Sequence, residues 1–156
     1  MNRVLLIASF LLVLLCIRAD ASAGVMEITN VPFYESVTNK SAEKVCLYLW
    51  YSPGHPICNQ MLLRNGPYNE VGKRVMNEPA MRGKVLVCKM KVEDYSQLAR
   101  SQGVDKLPTI MMYGYNRDKG EVYKGDPTDP DEMMAFVRKA LKKMEVDIAS
   151  AQEDEL

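Results

Sequence analysis

Histidine and tryptophan occur once each in this chain of 156 residues, and Lys plus Arg balance Asp plus Glu at 20 apiece. That balance leaves no electrostatic case for nucleic acid or for an anionic membrane surface. A single histidine among four scattered cysteines does not make a closed zinc site. Four cysteines are also too few for a disulfide-dense mini-protein. No metal and no other cofactor is expected. Only the N-terminus carries a long apolar run. What the chain does have, 47% hydrophobic and 26% charged residues, excludes wholesale disorder. The length suits one ordinary domain.

Both ends read as addresses. Arg3 precedes an apolar stretch over residues 4–17, and Ala19, Ala21 and Ala23 follow as small residues suited to cleavage. This is the pattern of a secretory signal, assigned here to residues 1–23. The run falls short of the roughly 20 residues that span a bilayer, so no stable membrane insertion is expected after cleavage. Cys46, Cys58 and Cys88 remain. The final Glu153-Asp154-Glu155-Leu156 is similar to the Lys-Asp-Glu-Leu retrieval signal of the endoplasmic reticulum, which implies a retrieval receptor as a partner. Together the two ends predict residence in the oxidising lumen of that compartment. Asn39-Lys40-Ser41 is an N-glycosylation sequon.

Between these ends, residues 24–146 read as an α/β domain and residues 147–156 as an acidic tail, loose from Ser150. Residues 25–29 suit a first strand and 32–38 a short helix. Residues 45–51 are apolar throughout, as in a strand buried on both faces of a parallel sheet. Ser52-Pro53-Gly54 stops it. Helical spacing begins near His55, breaks at Gly66-Pro67 and resumes to Asn77. Residues 85–90 read as another inner strand. Residues 94–102 read as a helix capped by Asp94. Strands at 109–115 and 121–123 suit a hairpin. Asp129 caps a last helix, with Pro130 first and Glu132 three residues after the cap. Phe136, Val137, Ala140, Leu141 and Met144 form its apolar stripe. The order β-α-β-α-β-α-β-β-α demands helices on both faces of a mixed sheet of about five strands.

Three segments in this frame carry a resemblance. Trp50-Tyr51-Ser52-Pro53-Gly54-His55-Pro56-Ile57-Cys58 resembles the Phe-Tyr-Ala-Pro-Trp-Cys-Gly-His-Cys run of the protein disulfide isomerase family. Val104-Asp105-Lys106-Leu107-Pro108-Thr109-Ile110 resembles that family's Val-x-x-Tyr-Pro-Thr-Leu segment, and Tyr123-Lys124-Gly125-Asp126 its Tyr-x-Gly segment. The resemblance implies a thioredoxin-like fold, Pro108 in the cis form, and a client surface drawn from Trp50, Tyr51, Gly54, Leu107, Pro108 and Thr109. Unfolded or partly folded secretory proteins are the implied clients, with another folding factor as a further partner.

The departures bear on chemistry. His55 stands where the family has its nucleophilic Cys, and only the second Cys survives, as Cys58. Leu49 replaces a buried Glu, and a late Arg falls on Pro127. Lys89, near the lost acid, is expected to reach solvent. Without a partner thiol, neither internal closure nor intramolecular resolution of a mixed disulfide can occur at this site. Cys58 and His55 are therefore candidate residues of a degenerate catalytic site. A helix N-terminus would lower the thiol's pKa, and imidazole three residues earlier could take its proton. Cys46 and Cys88 read as small buried hydrophobes. The leading function is client binding in the lumen with impaired dithiol chemistry and possible mixed disulfides on Cys58. A monothiol isomerase or reductase using His55 and Cys58, and a non-catalytic adaptor, are the alternatives.

Overall fold

The apolar run VCLYLWY becomes the middle strand of a five-stranded sheet. The computed structural model describes residues 24–39, 42–115 and 119–154. The signal segment, Lys40 and Ser41 of the sequon, and Glu155 and Leu156 lie outside them. In chain order the elements are β1 (Val25–Glu27), α1 (Val31–Val37), β2 (Val45–Tyr51), α2 (Pro56–Met61), α3 (Pro67–Asn77), β3 (Val85–Lys91), α4 (Ser96–Ser101), β4 (Thr109–Gly114), β5 (Glu121–Val122) and α5 (Pro130–Asp154). The strands lie in the order β1-β3-β2-β4-β5. β1 and β2 both run parallel to β3, while β4 is antiparallel to β2 and to β5.

Strand alternation sends the apolar run of β2 both ways. Val45, Leu47 and Leu49 face a core shared with Met61, Tyr68, Val71 and Val75 of α2 and α3 and with the stripe of α5. Burying Leu47 and Leu49 stabilises the fold by about 2 kcal/mol each. Cys46, Tyr48 and Trp50 face a second core with Tyr34 of α1, Ala99 of α4 and Tyr113 of β4. There Tyr34 meets Tyr48 edge-on at 5.4 Å and Tyr48 meets Trp50 at 5.3 Å between ring centroids, separations that favour attraction between rings.

The helix break falls at Gly66-Pro67 as the sequence predicts. Gly66 precedes Pro67 at the first position of α3. A Cβ on Gly66 would lie 2.4 Å from the Gln60 carbonyl oxygen and 2.5 Å from that of Met61. Only glycine lets the chain double back this closely. Tyr68 then pins α3 to the sheet, its buried hydroxyl lying 2.6 Å from the Cys88 carbonyl oxygen and 3.1 Å from that of Leu47.

Two local expectations need correction. Asp94 does not cap α4. Residues Val92–Tyr95 form a 3-10 turn that runs straight into the helix, Tyr95 holds the cap position, and the Asp94 carboxylate faces Lys91. The expected loose tail is helical, since α5 continues to Asp154. Ala149, Ala151, Gln152 and Glu153 are good helix formers with no Gly or Pro to stop them, and Ile148 still packs on the first core. At the other end, Asp129 accepts from the N–H groups of Asp131 and Glu132 at 2.8 and 3.2 Å, so it is the expected cap. The Glu132 carboxylate accepts instead from the Asp126 N–H at 2.9 Å, three residues further back than a capping box would place it.

Candidate functional site

The loop after β2 carries the degenerate motif. His55 is the N-cap of α2 with no side-chain capping bond, Pro56 takes the first position, and Cys58 lies in the first turn. His55 Nδ1 is buried without a hydrogen-bond partner, so it does not accept the Cys58 proton. Cys58 has no exposed surface. Burial pushes its thiol pKa up, backbone N–H groups near the sulfur oppose this, and the Glu93 carboxylate adds to the rise. The activation expected from the helix N-terminus is outweighed, because desolvation penalises the thiolate more than the backbone groups of Ser52 and Cys58 favour it. Cys46 and Cys88 are also free and buried, as expected of small core residues, and burial raises Cys46 further.

Two contacts around the loop were not foreseen. The Ser52 hydroxyl hydrogen-bonds the Glu93 carboxylate, which holds that carboxylate below its ordinary pKa. The bond joins the motif loop to the turn after β3 and keeps a negative charge near Cys58. The second contact concerns Lys89. It does not simply reach for water: its ammonium lies 3.1 Å from Glu27 Oε2 and 5.4 Å from the centre of the Tyr51 ring, whose hydroxyl donates to Glu27 Oε1 at 2.9 Å. Register explains this, since Lys89 pairs with Glu27 on one side and Leu49 on the other. With leucine at position 49, the lysine takes its counter-ion from β1.

The second segment meets the first through β4. Thr109 pairs with Trp50 at the end of β2, and the Leu107–Pro108 peptide before it is cis. The Thr109 side chain is buried and its hydroxyl donates to the Lys106 carbonyl oxygen at 2.6 Å. Leu107 and Pro108 are half-buried and Gly54 is exposed. Trp50 does not belong to a client surface: it has no exposed area and lies in the second core. Tyr51 has its hydroxyl committed to Glu27. A shallow groove of about 240 Å³ joins Leu107, Pro108 and Ile110 to the third segment at Tyr123, Gly125 and Pro127. Gly125 packs closely there: a Cβ would lie 2.4 Å from the Tyr123 hydroxyl and 2.5 Å from Glu132 Oε2, so any larger residue would push those two side-chain ends aside. A larger cavity, about 690 Å³, opens at the β1 edge beside Met26, Met76 and Arg82 and includes neither Cys58 nor Pro108.

Asn39 is exposed just after α1. Glu153 and Asp154 lie in the last turn of α5. Among the described residues no helix is long and apolar enough to cross a membrane.

Comparison with protein-family models finds no match, and comparison with curated proteins finds none either. Solved structures do match. The J-Trx1 fragment of ERdj5 superposes with a TM-score of 0.63 at 19% identity over 78% of this chain, which spans 52% of that fragment, about half its length. The first thioredoxin domain of mouse protein disulfide-isomerase A4 gives 0.60 at 23% identity over 76% of both chains. Human ERp44 in a zinc-bound form gives 0.61 at 14% identity, over 74% of this chain and 31% of that one. The mixed sheet, its helices on both faces and these superpositions give one result: the chain adopts a thioredoxin-like fold.

Proposed function

We propose that this protein is an atypical protein disulfide isomerase-like chain of the endoplasmic reticulum lumen, which binds folding clients and lacks dithiol turnover. The observation that carries the proposal is the state of Cys58: one thiol, fully buried, held protonated by desolvation, with His55 where a second sulfur would be needed. A mixed disulfide formed on it would have no neighbouring thiolate to release the client. The groove beside Pro108 retains exposed and half-buried surface for a peptide. Cys58 serves at most as a slow partner in mixed disulfides.

Wild type is expected to show no insulin-reduction turnover above background yet to suppress aggregation of an unfolded client. Cys58→Ser and His55→Ala should suppress it equally. Turnover in wild type that disappears in Cys58→Ser would overturn the proposal in favour of a monothiol enzyme. Inactivity in both assays would leave only the adaptor role.

The lumenal part of the proposal rests on the two terminal addresses. Deleting residues 153–156 is expected to move most of the protein from cells to medium, read by immunoblotting of both fractions. An unchanged cytosolic distribution would refute both addresses.

A further inference from the structure

We infer that the groove beside Pro108 selects extended client segments carrying acidic side chains next to apolar ones. This rests on the client-binding proposal and adds the chemical class of the client. Leu107, Pro108 and Pro127 supply apolar walls, and Lys106 and Lys124 stand at the rim. Both lysines are exposed, and neither forms an ion pair among the described residues.

Three neighbouring carboxylates keep their charge but are turned to other donors, while Asp105, beside Lys106, is exposed and lies outside the groove lining. Asp126 accepts from the N–H and hydroxyl of Thr128 at 2.8 and 2.7 Å. Asp129 caps α5. Glu132 takes the Tyr123 hydroxyl at 3.2 Å and the Asp126 N–H at 2.9 Å. The groove lining therefore holds two cations and no carboxylate, within a chain whose formal net charge is zero. A site of about 240 Å³ accepts one or two side chains of an extended strand, not the face of a folded domain. An acidic residue beside an apolar one places its carboxylate at the lysines while the apolar group enters between Leu107 and Pro127. Like charge at the rim is disfavoured, which gives the groove a sign preference as well as an affinity.

The test uses three unstructured peptides with the same apolar centre and flanks of Glu, Gln or Lys, titrated calorimetrically into the full chain at low and at physiological salt. The Glu peptide is expected to bind about fivefold more tightly than the Gln peptide at low salt, the size of two exposed charge pairs, and the gap should narrow with salt. The Lys peptide should bind weakest. In the double variant Lys106→Glu, Lys124→Glu the order should reverse. In Lys142→Glu, Lys143→Glu, at exposed positions of α5 outside the groove, it should persist. Equal binding of all three peptides, or a preference unchanged by the groove substitutions, would overturn this inference and leave client binding standing. Binding of none would overturn both.

Discussion

Replacing His55 with cysteine is expected to create a redox-active disulfide where none exists. Position 55 is the N-cap of α2 and Cys58 the third residue of its first turn, positions whose side chains meet in ordinary helix caps. The new thiol would attack a client disulfide, and Cys58 would resolve the mixed disulfide by closing the internal bond as the reduced client leaves. Closing so small a loop should make the oxidised variant more stable than the reduced one by about 2 kcal/mol in the chain-entropy account. Insulin-reduction turnover should rise from background to a measurable rate. It should stay modest, because Leu49 supplies no carboxylate to take the Cys58 proton and Lys89 is held by Glu27. Stepwise alkylation before and after reduction reads the result. Two thiols labelled identically in both states would refute the alignment of His55 with the missing nucleophile.

The second large effect is alkaline unfolding. Tyr34, Tyr48, Tyr68 and Tyr113 are at most 5% exposed, and burial raises the pKa of all four. In the unfolded chain they ionise near pH ~10. A raised folded pKa means that the folded state keeps protons the unfolded state releases. Their contribution to stability is therefore whole below about pH 10 and falls as pH rises further. Tyr34, Tyr48 and Tyr68, the most strongly shifted, each cost about 1.4 kcal/mol per pH unit, so the three together remove about 4 kcal/mol per unit. A domain of ordinary stability, about 5–15 kcal/mol, should unfold within about one to four units above pH 10. Phenolate absorbance and far-ultraviolet circular dichroism should change together in one cooperative step. Phenolate absorbance that titrates smoothly near pH ~10, with the fold intact, would show these hydroxyls to be open to water.

The fold was legible wherever a local rule decided the outcome. The unbroken apolar run of β2, the Gly66-Pro67 break and the Asp129 cap each follow from residues adjacent in sequence, and each stands where expected. Trp50 was misjudged because a run apolar at every position carries no period to say which face a residue takes. Register and the positions of α1 and α4 decide that. The helix beyond Ser150 was missed because polarity was read as looseness, although Ala, Gln and Glu favour helix wherever the preceding turn is already formed.

At the site, histidine in place of the first cysteine of the resembled motif was visible in one line of sequence, and the surroundings of Cys58 were not. Glu27 and Lys89 are 62 positions apart, and nothing local says that β1 lies on β3 with those two residues paired. The Ser52–Glu93 bond likewise depends on where the turn after β3 returns. The resemblance drew attention to the position of Leu49, but only the sheet order shows which carboxylate pairs with Lys89.

The single tryptophan makes the molecule its own optical reporter. Trp50 has no exposed surface, with Tyr48 and Tyr34 at 5.3 and 5.9 Å between ring centroids. Excitation absorbed by those phenols passes to the indole, so the folded chain emits chiefly from Trp50, at the short wavelengths of an apolar site. Denaturation should move that emission to the red and release tyrosine emission from the separated rings. A peptide seated beside Pro108 would touch neither ring system, because the indole lies in the second core beneath α1 and α4. A red shift during a client titration would therefore report loss of structure rather than docking.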